Sequence, residues 1–135
     1  MDPTTRSKLT SAFALAMSRV ADTPECAGLF SELGADAAEM LATSLYFPAP
    51  AAHRTSTCRR AVAYTYVGAA PTYLCSGFSS LTDDHAALVL VHEALHHAGL
   101  AESPSDPAGM SSVAITEMVR KACGFEIFKK GGRAR

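Results

Sequence analysis

The stretch from Asp83 to Glu102, DDHAALVLVHEALHHAGLAE, constrains the fold more than any other part of the chain. Its apolar residues (Ala86, Ala87, Leu88, Val89, Leu90, Val91, Ala94, Leu95 and Ala98) go almost completely round a helix of 3.6 residues per turn. A helix that is apolar on every side is a buried one, so the other elements have to be wrapped round it. His92, Glu93 and His96 lie inside this run, where polar side chains are unfavourable unless something engages them.

His92 and His96 stand four residues apart on one face, about 6 Å apart along the axis, which suits two imidazoles converging on one tetrahedral zinc. Glu93 then points beside the metal, where a carboxylate can take a proton from a water whose pKa zinc lowers to about 7. Gly99 falls where the helix would end in a left-handed cap, turning the chain back so that Glu102 arrives as a third ligand. The plainer alternative is a pair of core histidines held by hydrogen bonds, with Glu93 on a solvated edge. Chemistry is the less costly explanation of so much polarity in a buried helix.

From His92 to Glu102 the residues read H-E-x-x-H-x-x-G-x-x-E. This resembles the zincin metallopeptidases, most closely the metzincin-type pattern with Glu102 in place of the third histidine. The resemblance implies zinc held by His92 and His96, and Glu93 as general base and acid in peptide-bond hydrolysis. The third ligand stays open between Glu102, which the Gly99 reversal favours, and Glu117, which fits zincins that use a distant glutamate on a following helix. Met110 is equally a methionine turn beneath the zinc and a core methionine in a loop. An edge strand above the active helix would bind extended substrate, and Tyr73 to Cys75 is the expected one. Tyr64, Tyr66 and Tyr73 are candidates to donate to the oxyanion, although packing is the commoner role of a strand tyrosine.

With 135 residues, 48% of them hydrophobic, the chain is read as one domain, 1–135, with a single core. Twelve Lys+Arg balance thirteen Asp+Glu to a net charge of −1, so no global field recruits nucleic acid or an acidic membrane. The longest apolar run, Ala86 to Val91, is too short to span a bilayer, and MDPTTRSK lacks the features of a signal peptide; the expectation is a soluble protein. Cys26, Cys58, Cys75 and Cys123 are too widely spaced for a zinc knuckle, and two disulfides could form in any of three pairings. The favoured pairing is Cys75 with Cys123 and Cys26 with Cys58, in a secreted or periplasmic protein whose leader has been trimmed. The alternative is four reduced cysteines in the cytoplasm.

Apolar residues at three- and four-residue intervals predict a helix over 4–21 and a second over 23–46, the latter capped by Thr23 and open to bending at Gly34. Residues 48–60 read as a loop with solvated Arg54, Arg59 and Arg60, and His53 as a weak ligand candidate. Residues 61–67 and 72–75 read as an antiparallel hairpin. Thr82 or Asp83 caps the active helix; His85 is taken as a first-turn surface residue and His97 as facing the cleft wall or solvent. Ser111 or Ser112 caps a closing helix, 113–123, with Val113, Ile115, Met118, Val119 and Ala122 inward, followed by a frayed basic tail, 129–135.

The expected architecture is a compact α+β, zincin-like domain: two N-terminal scaffold helices, a small, mostly antiparallel sheet, the active helix and a C-terminal helix. The expected function is a monomeric zinc metallopeptidase, one Zn2+ per chain, acting on peptide or protein substrates. An inactive peptide-binding module of the same shape and a zinc amidase acting on non-protein amides are the two other classes.

Overall fold

A computed structural model describes residues 1–127; the tail expected to fray lies outside the described residues. Six helices and three strands follow one another: α1 Pro3–Asp22, α2 Pro24–Ser31, α3 Ala37–Thr43, β1 Leu45–Pro48, α4 Ala51–Arg54, β2 Ala63–Thr65, β3 Pro71–Leu74, α5 Asp83–His97 and α6 Ser112–Cys123. The architecture is α+β, as expected.

Helix α5 is the axis of the molecule. Its Leu88, Leu90, Val91 and Leu95 are buried, and α1, α3, α6 and β2 all pack against it. Along α1 the fully buried residues are small, Ala12 and Ala16, which lets the two helices come close. Thr82 caps α5, its hydroxyl accepting from the His85 amide at 3.1 Å, while Asp83 and Asp84 fill the first turn. Arg19 joins α1 to the end of α6: its guanidinium donates to the Cys123 and Gly124 carbonyls at 3.1 and 2.7 Å and lies 5.0 Å from the Phe125 ring centroid.

Three expectations are corrected. The helix read over 23–46 breaks into α2 and α3, because Gly34 takes a left-handed φ of +73° and Asp36 starts a new helix by accepting from the Glu39 amide at 3.0 Å. The chain then leaves as a strand, so Leu45–Pro48 pairs with β3 and the sheet order is β1-β3-β2. The sheet is therefore mixed, with β1 parallel and β2 antiparallel to β3. Finally, Val113 is 79% exposed: it stands in the first turn after the Ser111 cap, off the stripe on which Ile115 and Val119 point inward as expected.

The four cysteines form two disulfides, Cys26–Cys123 and Cys58–Cys75, not the pairing favoured from the sequence. Helix α2 packs against α6, which brings Cys26 to Cys123, and the loop before β2 folds back on the end of β3, which brings Cys58 to Cys75. These bonds point to an oxidising, extracellular environment. Among the described residues no helix is long and apolar enough to cross a membrane.

Candidate metal centre

His92, Glu93 and His96 are buried on the last two turns of α5. Gly99, at φ +113°, reverses the chain; the Gly99 amide donates to His96 and the Leu100 amide to Leu95, at 3.0 and 2.9 Å. Glu102 returns to the helix end, its Oε1 lying 3.3 Å from His92 Nε2 and 2.9 Å from His96 Nε2. Ligand atoms of these three residues lie within 4.8 Å of one another, an arrangement able to hold a metal ion. Tetrahedral ligands about 2.0–2.1 Å from zinc stand about 3.4 Å apart, so the Glu102 contacts already have nearly that scale.

Hydrogen bonds at the far ring nitrogens orient both imidazoles. His96 Nδ1 lies 2.7 Å from the Leu100 carbonyl oxygen, which can only accept, so Nδ1 donates to it and Nε2 is the nitrogen turned to the Glu102 carboxylate. Two acceptors at 2.9 Å repel unless a proton or a cation lies between them. His92 Nδ1 is 3.1 Å from the Thr116 hydroxyl of α6. Burial, and then the neighbouring His96, hold the His92 imidazole below its ordinary value, which favours the neutral form that a metal needs.

Burial pushes the Glu93 carboxyl up to about 8. A hydrogen bond from Thr65 acts against that shift and the nearby Glu102 charge adds to it. Thr65 in turn is 2.9 Å, oxygen to oxygen, from buried Thr72, so a chain of hydroxyls runs from the sheet's inner face to Glu93.

Over these residues opens a cleft of about 430 Å3, with β2 and the following Tyr66 and Val67 on one side and His92, Glu93, His96, Glu102 and Ser105 on the other. Its wall is β2 rather than Tyr73–Cys75, because β3 is the central strand, paired on both sides, and β2 is the edge strand that lines the cleft. Tyr64 and Tyr66 line the cleft, whereas Tyr73 is stacked behind Tyr64 with ring centroids 5.2 Å apart. Burial and the two neighbouring tyrosines raise the Tyr64 phenol, keeping it a hydrogen-bond donor at neutral pH.

The remaining candidates fall elsewhere. Glu117 is on the exposed side of α6, paired with Arg120 at 2.6 Å. Met110 pairs with Glu102 through the backbone, and its carbonyl accepts from the Ser103 amide at 2.9 Å. His97 faces α3 rather than the cleft, its Nδ1 3.2 Å from both the Ser44 hydroxyl and the Met40 carbonyl. His85 is half-buried, and His53 is hydrogen-bonded to the Tyr64 hydroxyl. Sequence reasoning missed Thr65, Thr116, the Leu100 carbonyl and Gly109. A methyl group at Gly109 would stand 2.7 Å from the Glu102 nitrogen, so only glycine lets the returning loop lie against the Glu102 backbone.

Searches of family models, curated proteins and solved structures gave no match for this chain.

Proposed function

We propose that the protein is a zinc-dependent metallopeptidase, monomeric and secreted or periplasmic, that hydrolyses peptide bonds. The observation that carries the reading is His96: its Nδ1 is committed to the Leu100 carbonyl, which turns Nε2 to a carboxylate oxygen that also faces His92. That geometry suits a cation. Two histidines and one carboxylate on a site open to a cleft are the donor set of a catalytic zinc rather than a structural one.

When bound, zinc supplies Lewis acidity to a water and to the scissile carbonyl. The chain's own residues do the rest. Glu93 takes the proton of the attacking water as its oxygen bonds to the carbonyl carbon, then delivers that proton to the amide nitrogen as the C–N bond breaks. Thr65 orients the carboxylate through its hydroxyl. Tyr64 or Tyr66, on the opposite wall, donates to the carbonyl oxygen as charge develops there. Glu93 lines the same cleft as His92, His96 and Glu102, within reach of a water at the metal centre, which favours hydrolysis over the binding-module reading.

Elemental analysis of protein purified without chelator, together with a cleavage screen of peptides and non-protein amides, tests the proposal. One zinc per chain with peptide turnover is expected. Turnover of non-protein amides alone would make the protein an amidase, and metal without any turnover would leave a binding module.

A further inference from the structure

Between Glu39 and Asp83 the chain has no acidic residue, yet it carries Arg54, Arg59 and Arg60. This segment folds into the sheet and the loop before it, and its Thr57, Ala61 and residues 63–67 form one wall of the cleft. The facing wall contains Glu93 and Glu102. The carboxylates thus lie inside the cleft, and Arg59 and Arg60 of this acid-free segment line the recess beside it.

Arg59 and Arg60 are exposed, and among the described residues neither has a carboxylate partner. With Thr55, Ser56 and Thr57 they line a hollow of about 820 Å3. Thr57 also lines the metal cleft, so the two recesses adjoin there. The turn that carries them is anchored as well: Cys58, next to Arg59, is bonded to Cys75 at the end of β3. The backbone carrying both guanidinium groups is thus fixed beside the cleft, and the missing internal partners leave the side chains available to a ligand carboxylate.

We propose that the site selects acidic peptides: a segment lying in the cleft places an aspartate or glutamate side chain, a few residues from the bond at the metal centre, in the Arg59–Arg60 hollow. This names the substrate class of the peptidase reading and rests on that reading.

The test uses zinc-loaded Glu93→Gln protein, which should hold peptide without turning it over, and two fluorescent peptides that differ only in Glu against Lys. Anisotropy should show the Glu peptide bound roughly tenfold tighter at low salt, the preference shrinking as ionic strength rises. Arg59→Glu/Arg60→Glu should abolish or invert it. Arg54→Glu, whose residue lines a different recess beside Asp2, should shift it less. Equal affinity for the two peptides, or an equal loss in the Arg54 variant, would overturn the assignment, and tighter binding of an acidic polysaccharide would overturn it in favour of a glycan. Cleavage by zinc-loaded wild-type protein is measured alongside. Acidic preference in binding without cleavage of either peptide sinks the peptidase reading alone, while cleavage without preference sinks this inference alone.

Discussion

The Leu100 carbonyl oxygen lies 2.7 Å from His96 Nδ1, and that one contact decides which ring nitrogen faces Glu102. Metal affinity should therefore depend on Glu102 and not on Glu117, which is engaged with Arg120. Glu102→Ala should weaken zinc binding by roughly 100-fold or more, judged against the 10–100-fold typical of losing an outer partner. Competition with a chromophoric chelator measures it, and a comparable loss in Glu117→Ala would move the third ligand to α6.

Glu93→Gln should retain zinc and lose roughly 100- to 10,000-fold in peptide turnover, the span that general acid–base groups contribute. Retained turnover in the metal-loaded variant would remove Glu93 from the mechanism.

The same substitution should change how metal-free stability follows pH. The carboxyl's ordinary value of 4.5 rises to about 8 in the folded protein. Stability from the neutral carboxyl is thus full below about 4.5 and is lost as pH rises to about 8, by at most about 1.4 kcal/mol per pH unit. The lowered His92 acts in the opposite direction below its ordinary 6.5, but it is present in both proteins. The unfolding free energy of Glu93→Gln minus that of wild type should climb across this window in urea titrations with chelator present. A flat difference would mean that Glu93 is not buried as described.

Gly109→Ala should destabilise the protein and weaken zinc binding together, because the added methyl would meet the Glu102 backbone at 2.7 Å. Melting temperature and chelator competition report the two effects. Unchanged affinity would show that the loop can shift without carrying Glu102 away.

Loss of the Cys26–Cys123 disulfide, which spans 97 residues, should lower stability by about 4–5 kcal/mol, against about 3 kcal/mol for Cys58–Cys75, which spans 17. Denaturant unfolding of the two double-alanine variants compares them, and the reverse order would show that strain or residual structure outweighs loop closure.

What could be read from the sequence was what short-range periodicity determines. Helix α5, its Thr82 cap and the Gly99 reversal all follow from neighbours a few residues apart, and Glu102 is only six positions from His96. Whatever depends on distant segments stayed hidden. Leu45 and Tyr46 look like the end of a helix, and Pro48 like the start of a loop, until β3 lies beside them; cysteine pairing depends on how α2 meets α6. Thr65 and Thr116 are ordinary threonines in sequence, and only packing brings them to Glu93 and His92. Gly109 could have been found only as a glycine in a loop, with no sign of what lies against it.

The Gly99 reversal has a thermodynamic consequence. All three ligand positions sit in the interval 92–102, two of them on a helix that the core already holds, so gathering them closes almost no chain and removes little entropy. A metal bound there would have little folding to drive. Chelation should empty the centre while the helices, the sheet and both disulfides stay in place, separating loss of chemistry from loss of structure.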